Sequence, residues 1–201
     1  MDFKEQLKDA ICNNNIEFLE QNKNKYCINA RFEDEDNDTL LLYSISDKDS
    51  SAYQYFLRNS ADKYLVNNEN ENIFHAIVYS NNKNRLKEII DQDISIIKII
   101  NNRTLDGVTP LLLSISLEYF AIAELLIKIG ANVNIADNDG ITPIHLASQF
   151  GTLNFVKALI NKGADIKSKT IKGNYPLALA VNADNYEVIR YLYNKIRLSQ
   201  S

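Results

Sequence analysis

"DGVTPLLLSIS" at Asp106–Ser116, "DGITPIHLASQ" at Asp139–Gln149 and "KGNYPLALAVN" at Lys172–Asn182 are three copies of one segment, and their spacing decides the fold. The three prolines, Pro110, Pro143 and Pro176, stand 33 residues apart, and Gly107, Gly140 and Gly173 each precede one of them by three residues. Gly130 and Gly163 keep the same interval. A fixed period of this length marks a repeat architecture, in which one unit cannot bury its apolar face alone and stacks on its neighbours. Each copy runs on into a second apolar stretch: Ile122, Leu125, Leu126 and Ile127, then Phe155, Val156, Leu159 and Ile160, then Val188, Ile189 and Leu192. Spacings of three and four put each stretch on one helical stripe. "IGANVN" (Ile129–Asn134) and "KGADIK" (Lys162–Lys167) place glycine just past a helix end, where left-handed backbone is wanted. One unit is therefore turn, short helix, second helix and returning loop.

Every glycine and proline lies in the second half of the chain, so the period is carried into the first half by what the turn requires. The turn slot needs a residue that tolerates positive φ, and asparagine is the usual substitute for glycine. "NDTLLLYSIS" (Asn37–Ser46) and "NENIFHAIVY" (Asn70–Tyr79) then align with Asn37 and Asn70 in that slot. The slots fall at 37, 70, 107, 140 and 173, and the one longer step implies about four extra residues within Asp91–Asp106. Ile94, Ile96, Ile97, Ile99 and Ile100 make that stretch unusually apolar. It reads as an added helical turn or hairpin packed back on its neighbours, with a contact surface as the alternative. Ahead of it all, "FKEQLKDAICNNNIEFLEQN" (Phe3–Asn22) reads as a further helix pair turning at Asn13–Asn15, with Asp2 and Glu5 suited to a helix start.

A 33-residue unit of β-turn and two antiparallel helices, with a Thr-Pro-Leu-His-x-Ala opening, resembles the ankyrin repeat. Thr142, Pro143, His145, Ala147, Gly151, Gly163, Ala164 and Asp165 match the family pattern, whereas Leu42, Leu112 and Ala178 replace the histidine, and Leu40 and Ile73 the proline. The resemblance implies an all-α fold, an ankyrin-repeat solenoid of stacked helix-turn-helix units with β-turn fingers. The resemblance covers roughly residues 2–197, and the domain is read as 1–201, a single domain with units at about 2–33, 34–66, 67–103, 104–136, 137–169 and 170–201. The last helix mixes charge with three tyrosines and reads as a polar end cap or, equally, as a cut within a longer protein.

His145 and His75 are the only histidines and hold one slot in two units, so a structural role outweighs catalysis. A histidine there can join neighbouring turns by hydrogen bonds, beside Thr142 as a helix cap and Pro143 at the first helical position. Cys12 and Cys27 lack the close spacing of a zinc site and read as reduced, small hydrophobic residues. "DEDND" at Asp34–Asp38 starts like a calcium loop, but Thr39 and Ile45 stand where its glycine and bidentate glutamate belong. No phosphate loop, nucleophile elbow or zincin motif occurs. No catalytic residue, metal or cofactor is assigned.

The formal net charge of −4 argues against nucleic acid as the main partner, because that binding depends on lysine and arginine displacing phosphate counterions. No apolar run is long enough to span a bilayer and the N-terminus lacks a secretion signal, so the expected compartment is the cytoplasm, with export or delivery into a host cell left open. The resemblance implies a protein partner held along the concave groove, through the turn tips and the exposed side of each first helix. The corresponding positions are Glu35, Asp36, Asp38 and Asp47, then Glu69, Glu71 and Tyr79, then Leu105, Asp106, Val108 and Leu117, then Asp139, Ile141 and Phe150, and finally Lys172. Their character runs from acidic through apolar to basic, which fits a partner with a basic segment and an apolar anchor. The chain is expected to be monomeric on its own. A non-catalytic protein-binding module is thus the first expectation; a dedicated inhibitor, effector or immunity-type protein blocking one basic target is the second, and an enzyme a distant third.

Overall fold

In the computed structural model, residues 2–33 and 36–198 are described. The chain divides into two compact halves, Met1–Asn102 and Arg103–Ser201, and the division falls where the longer step ends. Both halves are all-α: among the described residues the β pairing is a single isolated antiparallel bridge, Arg31 to Thr39.

The N-terminal half carries α1 (Phe3–Cys12), α2 (Ile16–Gln21), α3 (Leu40–Ser46), α4 (Ala52–Arg58), α5 (Ile73–Ser80) and α6 (Lys83–Gln92). The Asp2 carboxylate accepts the Glu5 amide at 2.8 Å and the Glu5 carboxylate accepts the Asp2 amide at 3.3 Å, so both orphan donors at the start of α1 are satisfied. Thr39 caps α3 by accepting the Leu42 amide at 3.2 Å, and Asn72 caps α5 by accepting the Phe74 amide at 2.9 Å. α3 packs against α4 and α5, and α5 against α6, over Leu41, Ile45, Phe56, Phe74 and Ile77. The turn slots behave as expected: Asn37 has φ 53 and Asn70 has φ 62.

One buried charge interrupts this apolar packing. Arg85 of α6 sits where the other second helices place Ala52, Ile122, Phe155 and Val188, yet it is only 3% exposed. Its guanidinium donates to the carbonyls of Ile45 near the end of α3 and of Asp47, Lys48 and Ser50 in the loop to α4, and lies 4.7 Å from the Tyr53 ring centroid. A charge so far from water persists because these acceptors replace its hydration.

The Ile-rich insertion forms a 3-10 turn, Ile94–Ile99, packed against α6. Ile96 and Ile100 are buried, the Asp93 carboxylate accepts the Ser95 amide at 2.9 Å, and Asn72 donates to the Ile99 carbonyl at 2.7 Å. The packed-back expectation therefore describes most of the stretch, with Ile94 left exposed.

The C-terminal half carries α7 (Pro110–Ser116), α8 (Phe120–Lys128), α9 (Pro143–Phe150), α10 (Leu153–Asn161), α11 (Pro176–Asn182) and α12 (Tyr186–Leu198). Each first helix opens on a proline, whose missing N–H would have had no helical partner. α7 packs against α8 and α9, α9 against α10 and α11, and α11 against α12. Gly107, Gly140 and Gly173 take φ of 82, 76 and 78 in the turn slots. α12 is longer than α8 or α10, and it exposes Tyr186, Tyr193 and Leu198 beside Glu187, Arg190, Asn194, Lys195 and Arg197.

Candidate protein-docking surface

The tips that would meet a partner are built by a polar residue three positions before each turn slot. Asn67, Thr104, Asp137 and Thr170 hold that position, and their side-chain oxygens accept the amides of Glu71, Val108, Ile141 and Asn174 at 2.8–3.1 Å. The local sequence pattern carries this signal as a run of Asn, Thr, Asp and Thr at one register, and it was not among the expected functional positions. Neighbouring tips are joined through the backbone. Asn68 donates to the Asp36 carbonyl at 2.9 Å, Asn138 to Asp106 at 3.0 Å and Ile171 to Asp139 at 2.8 Å.

His145 serves this frame. Its Nδ1 accepts from the Thr142 amide at 3.2 Å and meets the Thr142 hydroxyl at 2.8 Å, while Nε2 donates to the Asn174 carbonyl at 3.1 Å in the next turn. Burial pushes its pKa below the usual imidazole value, since the cation would lose its hydration. His75 makes the equivalent contact with Asn72, whose amide donates to His75 Nδ1 at 3.2 Å.

In the N-terminal half, four of the expected positions converge. The Tyr79 hydroxyl donates to Glu71 Oε1 at 2.6 Å, and the Asn67 amide group donates to Glu71 Oε2 at 2.8 Å and to Asp38 Oδ1 at 3.0 Å. Partial burial, then the carboxylate of Glu71 and the charges of Asp36 and Asp38, push the Tyr79 hydroxyl well above its ordinary pKa. The result is a negatively charged face with one half-exposed aromatic ring on it. Glu69 is exposed beside this group, its amide held at 3.1 Å by Asn67. Asp47 stands apart: it lies at the far end of α3, and its carboxylate accepts the Asp49 and Ser50 amides within the loop to α4. Glu35 lies outside the described residues, as does Asp34 of the calcium-loop look-alike.

In the C-terminal half, the apolar positions fall into two sets. Leu105, Val108 and Ile141 sit at the turn tips, and Ile171, which flanks the last turn, joins them as the most exposed apolar residue there, at 75%. Leu117 and Phe150 lie at the other ends of α7 and α9, and both are exposed. Asp106, Asp139 and Lys172 are exposed at the tips, with Asp106 and Asp139 lending their carbonyls to the backbone joints. Cys27 is exposed rather than packed as a small hydrophobic residue, because it precedes the first tip instead of lying on a helix.

A family model described as ankyrin repeats (3 copies) matches residues 7–137 and 129–200. The chain belongs to the ankyrin repeat family. No curated protein matches it. Ankyrin repeats are in general protein–protein interaction modules and typically non-catalytic. No group of three or more metal-ligating side chains occurs among the described residues, and no described helix of this ankyrin protein is long and apolar enough to cross a membrane.

Proposed function

We propose that this ankyrin repeat protein is a non-catalytic binding module, monomeric on its own, that holds one partner protein by a basic segment and an apolar anchor. The observation that carries the proposal is the convergence of Asp36, Asp38 and Glu71 on Tyr79, which presents negative charge and a flat ring together. A lysine or arginine of the partner gains from both, since a cation is drawn to carboxylates and to the face of an aromatic ring. The exposed Leu105, Leu117 and Phe150 of the C-terminal half supply the apolar anchor. Apolar and aromatic contacts give most of the affinity at such surfaces, while the charges set association rate and orientation.

The test begins with a pull-down from the native organism and mass spectrometry, followed by stopped-flow association with the partner found. Reversing Glu35, Asp36, Asp38, Glu69 and Glu71 to lysine together should slow association by about tenfold or more at low salt, with the difference shrinking as salt is raised. An unchanged rate defeats the proposal. The same acidic face also fits a dedicated inhibitor that covers a basic site on one target. That reading requires a tight one-to-one complex and loss of the target's activity, whereas a scaffold leaves its partner active.

A further inference from the structure

The N-terminal half seats one of its own cations beside the acidic face. The Lys8 ammonium, carried by α1, lies 4.8 Å from the ring centroid of Phe32 and 5.4 Å from that of Tyr43 on α3. The two ring centroids are 4.8 Å apart and the ring planes are inclined at 72°, so the rings meet as the walls of a corner. Main-chain bonds tie this corner to the first acidic tip. The Phe32 amide donates to the Asp38 carbonyl at 2.9 Å, Arg31 makes the antiparallel bridge to Thr39, and the Tyr43 amide donates to the Thr39 carbonyl at 2.9 Å. The Tyr43 ring is also held from α1, where Cys12 Sγ lies 3.6 Å from its hydroxyl oxygen. With Lys8 in place Phe32 is only 1% exposed, whereas Tyr43 and Lys8 are half-buried. A cation at the edge of water is drawn to an aromatic face weakly enough for another cation to take its place.

We propose that Phe32 and Tyr43 form a lysine-binding corner, closed by Lys8 in the free protein and taken over by a lysine of the partner's basic segment when that segment docks beside Asp38. The inference rests on the reading of a basic partner given above and names the residue type that the segment carries at this point. Geometry selects lysine over arginine. A compact ammonium faces both walls of the corner at once, as Lys8 does, whereas a planar guanidinium lies flat on one ring and turns its edge to the other. The exchange keeps a positive charge over the rings throughout, and Lys8 returns to water as the incoming lysine leaves it. Lys8 is thus a tethered competitor: the corner is open in only a fraction of the free molecules, and the apparent affinity for a lysine is reduced by that fraction.

The experiment uses the full chain, labelled with 13C, and two synthetic peptides of the same glycine-spaced sequence, one bearing lysines and the other arginines. In the free chain the ε-methylene protons of Lys8 should resonate upfield of those of Lys4, because they lie over two rings. Saturation with the lysine peptide should bring the two signals together. Lys8→Gln should bind the lysine peptide about two- to fivefold more tightly than the parent chain does, and the arginine peptide less than about twofold more tightly. Lys4→Gln removes the same charge one turn earlier on the same helix face and should leave both affinities within about twofold. Adding Tyr43→Phe to Lys8→Gln keeps both rings and should keep the gain, whereas adding Tyr43→Leu should abolish it. A Lys8 signal that stays upfield at saturation, equal gains for the two peptides, or the same gain from Lys4→Gln would overturn the proposal. Reversing Asp36, Asp38, Glu69 and Glu71 to lysine tests the basic-partner reading instead: it should weaken both peptides in the parent chain and in Lys8→Gln alike. Binding that ignores this reversal sinks that reading and leaves the Lys8 signal to decide the corner, and failure of both peptides to bind any variant overturns both.

Discussion

In the C-terminal half the turns are made by Gly107, Gly140 and Gly173 at φ of 76–82, followed by helices that open on proline; in the N-terminal half Asn37 and Asn70 do the same at φ 53 and 62, with neither glycine nor proline nearby. The helix-to-loop turn shows the same exchange, since Ser60 takes φ 64 in the slot of Gly163. Glycine makes such a turn because nothing on its backbone forbids it, whereas asparagine and serine need their surroundings to hold them there. The N-terminal half supplies that hold with side chains reaching across the sequence. Arg31 donates to the Asn37 carbonyl at 2.9 Å and to Val66 at 2.7 Å, Asn72 donates to Ile99, and Arg85 gathers the α3–α4 loop. The C-terminal half has clamps too, with Arg103 donating to the Gly107 carbonyl at 3.0 Å and Asn134 to the Gly163 carbonyl at 2.8 Å, so the halves differ in the residue that makes the turn and not in whether side chains hold it.

The largest effect should come from removing the strongest clamp. Arg85→Leu gives the slot the apolar character it has elsewhere but strips the acceptors in the loop of their donor, and should cost about 3 kcal/mol in urea unfolding. Hydrogen exchange should accelerate first across residues 45–53; unchanged protection there would mean that the loop holds itself. Next is Gly140→Ala, at roughly 2–3 kcal/mol, because the left-handed backbone resists a side chain and the new Cβ would stand 3.0 Å from the Ile171 amide nitrogen.

Acid should act more gently, through His145 in the C-terminal half. The folded pKa of His145 lies below its unfolded value near 6.5, so the unfolded chain takes up the proton first as pH falls. The contribution of this residue is complete above about pH 6.5 and declines towards the folded pKa, by at most about 1.4 kcal/mol per pH unit. His145→Leu, which copies Leu112 in its slot, should flatten that dependence in thermal melts between pH 7 and pH 5. The smallest change is expected from Asn70→Gly, within about 0.5 kcal/mol either way, as relief of the left-handed strain offsets the greater freedom of the unfolded chain. A loss well above that would show that the asparagine side chain is itself one of the clamps.

The repeat period was legible because the residues that mark it act locally: glycine and asparagine permit positive φ, and proline and threonine begin helices, whatever lies nearby. Arg85 was not legible, since its acceptors lie 35–40 residues away and a charge in a helical stripe ordinarily reads as solvent-facing. At the docking surface, alignment of slots located the tips, but alignment alone could not show Asn67 drawing Asp38 and Glu71 together, nor Asp47 turned into its own loop. The length of α12 also escaped notice, because Ile196 stands where α8 and α10 are followed by glycine and looks like one more apolar residue until the helix is seen to run on through it.

Neighbouring tips share one main-chain joint, in which the amides of Asn68, Asn138 and Ile171 donate to the carbonyls of Asp36, Asp106 and Asp139, and side chains add to it where Asn37 donates to Asn68 Oδ1 at 3.2 Å and Asn138 to the Leu105 carbonyl at 2.8 Å. Every residue type except proline offers the same amide, and every residue type offers the same carbonyl. The main-chain joint can therefore persist while side chains other than those of Asn68 and Asn138 change, so that the spacing of the tips does not depend on what the tips carry.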